Sequence, residues 1–169
     1  MRFKADHTFR GIDLPAYEKL YFDEPFNIEL CKATRLDRSL VKLETAGAKL
    51  TRAVKVSPEG RDIPGPVAAV LGGSKFEYTE YMDYELGKYQ GRWRTEPFVL
   101  RDKILSSGTV AFSAVPGGVR RLVEGDIQVK IFGVGGLIER FVVGDVEKSY
   151  AKAAEFTQKW IDAKKHLVA

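Results

Sequence analysis

The spacing of apolar residues changes once along this chain, at Gly133-Val134-Gly135-Gly136, and that change limits what the chain can fold into. Before it, apolar side chains recur at every second position in several short runs, the spacing of strands with one buried face. After it, Val143, Val146, Tyr150, Ala153, Thr157 and Trp160 recur at a period near 3.6, and Leu137, Phe141 and Ile161 widen the stripe. Glu139, Arg140, Glu147, Lys148, Lys152, Glu155, Lys159 and Lys164 lie mostly off it. The pattern predicts one amphipathic helix of about 30 residues, ~45 Å long at 1.5 Å per residue. Gly144 is its expected weak point.

The strand runs can be placed one by one. Phe3, Ala5, His7 and Phe9 alternate with Arg2, Lys4, Asp6, Thr8 and Arg10. Asp13 reads as an N-cap before Leu14-Pro15, opening a short helix that presents Tyr17, Leu20 and Tyr21 and is ended by Pro25. Residues 40–56 read as two strands around Ala46-Gly47-Ala48. Residues 58–65 read as a loop, and 66–71 as a short helix closed by Gly72-Gly73. The run 75–86 places Phe76, Tyr78, Glu80, Met82, Tyr84 and Leu86 on one face. After a turn at 87–91 comes a strand at 92–97. Two further strands, 104–115 and 119–131, flank the turn Pro116-Gly117-Gly118. In the second, Val119, Arg121, Val123, Gly125, Ile127, Val129 and Ile131 share a face. The order predicts an α+β domain over 1–169: a curved antiparallel sheet of about six or seven strands around a long C-terminal helix, with short helices after the first strand and near 64–72.

Charge and cysteine usage narrow the partners. The 27 Lys and Arg are interleaved with 23 Asp and Glu for a net charge of +4. That reads as a solvated mixed surface, with a basic patch for an anionic lipid headgroup or membrane surface as the alternative, and it argues against nucleic acid. With Cys31 alone, no disulfide can form within the chain. The first residues lack the apolar segment of a signal peptide and no apolar stretch is long enough to span a bilayer, so a cytoplasmic location is expected.

Three stretches carry a resemblance. They are Ile63-Pro64-Gly65-Pro66 ahead of a short apolar helix, the strand 123–131 running into Gly135-Gly136-Leu137-Ile138-Glu139, and a long helix ending near Trp160. Together they resemble the helix-grip superfamily of START domains, polyketide cyclases and Bet v 1-like proteins (the SRPBCC group). Within it, the chain is similar to the DUF2505-type bacterial family. The resemblance covers nearly the whole chain. It implies an antiparallel sheet gripping the C-terminal helix around a hydrophobic cavity, in a superfamily whose members bind lipids, sterols and polyketides and some of which catalyse. It brings no catalytic residues with it.

A straight helix laid across a twisted sheet leaves space. Small residues assigned to the inner faces (Gly125, Ala111, Ser113, Ala114) and isolated polar ones (Glu80, Arg52, Arg121) favour a cavity. The candidate ligand-binding residues are Tyr78, Glu80, Met82, Tyr84, Arg52, Phe112, Arg121, Phe141 and Tyr150. Glu80 is either a polar anchor in the pocket or a structural partner for an arginine. Arg52 and Arg121 either meet an anionic group of the ligand or extend to solvent along apolar stems. His7 as a base would need a nearby carboxylate. His166 lies in the tail, and Cys31 has no ligand or nucleophile pattern around it. The glycines at 133–136 lack the rest of a dinucleotide fingerprint and read as a joint. The first functional expectation is therefore non-catalytic binding of a hydrophobic molecule, without cofactor or metal, and with transient membrane contact. The alternatives are an enzyme of cyclase, dehydratase or hydrolase type using Glu80 or His7, and an interaction module with a filled core docking through 64–73.

Overall fold

The computed structural model describes residues 1–72 and 76–167, and in it the alternating runs form seven strands of one antiparallel sheet. They are β1 (Arg2–Arg10), β2 (Leu36–Ala46), β3 (Lys49–Pro58), β4 (Tyr78–Glu85), β5 (Gln90–Pro97), β6 (Ile104–Val115) and β7 (Gly118–Val129). The order across the sheet is β1-β7-β6-β5-β4-β3-β2, so β1 and β2 are the two edges. The expected residues Gly73 and Lys75 lie outside the described residues.

Each strand from β2 to β7 pairs antiparallel with the next one in sequence, and this register sets the parity of the inner side chains. One inner row runs Arg52, Met82, Trp93, Gly108, Gly125, Phe3 across six strands. Its two glycines are required by close approach. A Cβ on Gly125 would lie 2.5 Å from both Phe3 Cε1 and Trp93 Cζ2, and one on Gly108 would lie 2.7 Å from Trp93 Cζ2. The Trp93 and Phe3 rings, 5.9 Å apart, thus fill the room at Gly125. Ala111 and Ser113 have the opposite parity to the buried Val110 and Phe112, and Ala114 is exposed. None of these four small residues makes the hollow expected of it.

The α-helices among the described residues are α1 (Leu14–Tyr21), α2 (Glu24–Thr34), α3 (Gly65–Val70) and α4 (Gly135–Asp162), and α1, α2 and α4 pack on the sheet. Asp13 caps α1 as expected, its carboxylate accepting from the Ala16 N–H at 2.9 Å. Pro25 does not end that helix. It sits in the first turn of α2, where a missing N–H costs nothing, and Asp23 caps α2 by accepting from the Phe26 N–H at 3.0 Å. Arg35, in the left-handed region at φ 56°, ends α2. β2 then starts at Leu36 rather than at residue 40, and carries a bulge between Leu40 and Lys42. α4 is 28 residues long and runs unbroken through Gly144.

The two ends of the sheet are filled differently. At one end the aromatic rings of α1 form a plug. Tyr17 stacks on Phe9 at 5.1 Å and meets the edge of Phe112 at 4.9 Å; Phe22 meets Tyr84 at 4.8 Å. α4 bears on β1, β7 and α2 instead of the middle strands. Between α4 and the β3–β6 part of the sheet, space is left.

Candidate functional site

That space is a cavity of about 490 Å³. Val54 and Val56 of β3, Trp93 and Pro97 of β5, Ile104 of β6 and Ile127 of β7 form its apolar floor. Phe141, Val142, Val146, Tyr150 and Ala153 of α4 form the roof, with Leu30, Cys31 and Thr34 of α2 at the side. Exposed Glu59 and Gly60 belong to the wall, so the cavity reaches the surface beside the 58–64 loop. The volume lies within the range of small-molecule sites, roughly 300–1,000 Å³, and mostly apolar walls with few polar groups are their usual chemistry.

Of the nine expected ligand-binding residues, Arg52, Tyr78, Glu80, Arg121, Phe141 and Tyr150 line the cavity. Met82, Tyr84 and Phe112 do not. They share strand faces with the others but lie at or beside the α1 plug, where Tyr84 and Phe112 pack against its rings. Tyr84 gives its O–H to Glu18 at 2.8 Å, away from the cavity. His7 is half-buried on β1 and is not part of the wall. The two residues of the catalytic reading, Glu80 and His7, therefore do not share the cavity. Trp93, Ile127 and the α2 residues are wall positions that the candidate set lacked. The i, i+4 spacing of Phe26 and Leu30 is the signal that could have revealed α2.

Four arginines reach the wall: Arg38, Arg52, Arg61 and Arg121. Arg38 pairs with Glu24. Arg61 gives Nε to Asp145 Oδ1 at 2.9 Å and bonds Ser149 Oγ at 3.2 Å, with further bonds to the carbonyls of Thr34, Arg35 and Glu59. It fastens the 58–64 loop and the end of α2 to α4. Arg52, buried on β3, donates to Glu80 Oε1 at 3.3 Å and lies over Tyr21 and Phe22 at 5.6 and 5.4 Å. Glu80 thus serves as the structural partner of an arginine while facing the cavity.

Arg121 differs. It is 4% exposed and has no carboxylate partner among the described residues. Its contacts are Tyr17 Oη at 3.4 Å and His7 Nδ1 at 3.5 Å, with Phe9 and Tyr150 rings at 5.1 and 5.3 Å, and its Nε has no hydrogen-bond partner. The surrounding groups stay neutral. Burial, then the Arg121 charge, holds the His7 pKa below its ordinary value. Burial pushes the Tyr17 phenol up to about 12, and it raises Tyr21, Tyr78 and Tyr150 as well. The Cys31 thiol, raised by burial to about 11, is no thiolate nucleophile.

A family model described as "Protein of unknown function (DUF2505)" matches residues 5–161. The chain belongs to the DUF2505 family. None of the curated proteins is similar enough in sequence to count as a match. Among solved structures, this DUF2505 chain is similar to TTHA0849 from Thermus thermophilus, at 15% identity and TM-score 0.66 over 97% of this chain and 99% of that one. It is similar to StfQ, described as a di-domain ARO/CYC from the steffimycin biosynthetic pathway, at 11% identity and TM-score 0.58 over 97% of this chain and 52% of that one. It is also similar to Ara h 8.0201, at 12% identity and TM-score 0.58 over 92% and 96%. At these identities the likeness is one of fold: the DUF2505 chain has the START-like helix-grip architecture. Among its described residues no helix is long and apolar enough to cross a membrane.

Proposed function

We propose that this chain binds a hydrophobic small molecule in the cavity between sheet and α4, as a carrier or sensor and not as a catalyst. The observation that carries the reading is the cavity of about 490 Å³, walled by Val54, Val56, Trp93, Ile104, Ile127 and Val146. Burying a ligand against such a wall releases about 25 cal/mol per Å² of apolar surface. The known chemistry around StfQ belongs to that protein; from the fold we take only that a helix-grip cavity suits a small ligand. The polar groups here favour holding over reaction: Glu80 is tied to Arg52, and the buried phenols and thiol stay protonated.

Loading from a membrane fits the surface. Phe132, fully exposed between β7 and α4, stands two residues from Lys130, whose N–H bonds the Lys103 carbonyl at 2.7 Å. An apolar side chain flanked by exposed lysines suits an anionic lipid surface. Native mass spectrometry of the purified chain, with titration of an apolar fluorescent probe, tests the reading. A co-purifying small molecule, or one-to-one probe binding displaced by extracted lipid, supports it. A ligand-free chain that binds no probe refutes it.

A further inference from the structure

Arg121 poses a problem of charge balance. A guanidinium has five N–H donors and does not lose its proton in proteins. Here at most two donors are used, at 3.4 and 3.5 Å, and the acceptors are a neutral phenol and a neutral imidazole. Its Nε is buried without a partner. The Phe9 and Tyr150 rings soften the desolvation of the charge but leave its edge donors unsatisfied. Buried arginines ordinarily have a counterion because an isolated charge away from water is costly. The other three arginines of this cavity obey that rule, with Glu24, Glu80 and Asp145 as partners. The exception is 4% exposed, lines the cavity, and sits under Tyr150 of the roof.

We infer that Arg121 is the anchor for the head of a monoanionic amphiphile, a long-chain carboxylate whose head pairs with the guanidinium and whose tail lies along the apolar floor. The inference rests on the hydrophobic-ligand reading above and names the ligand's chemical class. The charge sets the head group: one unbalanced cation matches one negative charge, whereas a phosphate monoester brings nearly two. The planar fork of the guanidinium matches the two oxygens of a carboxylate. The floor sets the tail. Ile127 and Ile104 continue the wall away from the α1 plug toward the open side, so a ligand anchored at Arg121 extends its apolar part over them.

The test compares ligands that differ only at the head. The wild-type chain is titrated with cis-parinaric acid and with its methyl ester, followed by polyene fluorescence. The acid is expected to bind at least about tenfold more tightly, the scale of one charge-assisted contact. In Arg121→Gln the advantage of the acid disappears while the ester binds about as before, and a thermal melt reports whether that variant is folded. Equal affinity of acid and ester for the wild type overturns the inference and leaves the hydrophobic-cavity reading standing; that arm needs no variant. An advantage of the acid that survives in a folded Arg121→Gln also overturns it. So does tighter binding of a fatty alkyl phosphate monoester than of a fatty acid with the same tail, each measured by displacing cis-parinaric acid. Failure of both acid and ester to bind removes the hydrophobic reading and the inference together.

Discussion

Replacing one hydrogen by a methyl group should have opposite effects at Gly125 and Gly144. At Gly125 the new Cβ would sit 2.5 Å from a ring atom of Phe3 and 2.5 Å from one of Trp93, about 0.9 Å inside the 3.4 Å at which ordinary contact begins. Both rings are buried and already pack on each other, so they must tilt or β7 must move. Overpacking of this kind costs roughly 1–3 kcal/mol. For a chain of this size each kcal/mol is worth about 2–4 °C, so Gly125→Ala should lower Tm by about 2–12 °C. At Gly144 nothing lies within 4 Å of the Cβ and the backbone is helical. There Gly→Ala should stabilise by about 0.4–1 kcal/mol, or raise Tm by about 1–4 °C. Thermal unfolding followed by far-UV circular dichroism reads both. Trp93 fluorescence in a Trp160→Phe background reports whether the indole has shifted, which would also move one wall of the cavity. If Gly125→Ala melts where the wild type does and leaves Trp93 fluorescence unchanged, the rings do not rest on that glycine and the account of the sheet's inner floor is wrong.

Other outcomes follow from the same structure. Asp23→Ala should cost about 1 kcal/mol through the lost cap on α2, measured by urea unfolding, with Asp23→Asn losing less. Glu80→Gln should destabilise by about 1–3 kcal/mol, the cost of leaving the buried Arg52 group without its carboxylate when that carboxylate is itself partly exposed; urea unfolding would show a negligible change if the pair were ornamental. Cys31 should react with iodoacetamide at pH 8 about a hundredfold more slowly in the folded chain than in urea, the thiolate deficit of a pKa raised from 9 to about 11. Cys31 and Tyr17 both hold their protons more tightly when folded. Their contribution is therefore complete below pH 9 and is lost as pH rises through about 11 and 12, so stability in urea should fall over that window. Phe132→Ser should weaken sedimentation with anionic vesicles and leave Tm unchanged; equal sedimentation would argue against loading through that face.

The frame was readable from sequence because its signals are local. Alternation in Phe3, Ala5 and Phe9 or in Val119, Val123 and Ile127 reports a buried strand face at each position, and Tyr150, Thr157 and Ile161 report a helical one. α2 was hidden by Pro25, since the residue that breaks a helix in its interior also starts one in its first turn. Only the Asp23 cap separates the two cases. Face parity alone misplaced Met82, Tyr84 and Phe112. Period two tells which side of the sheet a residue occupies. It does not tell which end of that side lies beneath α1, because that depends on tertiary packing between distant segments. Arg121 shows the same limit. Its place on an apolar face is plain in the sequence, but the absence of a counterion is a property of its three-dimensional surroundings.

The bulge in β2 bears on how this molecule behaves in a crowded solution. An edge strand offers unpaired backbone groups that another chain can extend into a fibre, and this one also exposes Leu40, Val41 and Leu43. By inserting an extra residue between Leu40 and Lys42, the bulge disrupts the regular ladder where those greasy side chains are concentrated. Deleting Val41 would straighten that rim, and self-assembly into β-rich aggregates should then begin at lower concentration.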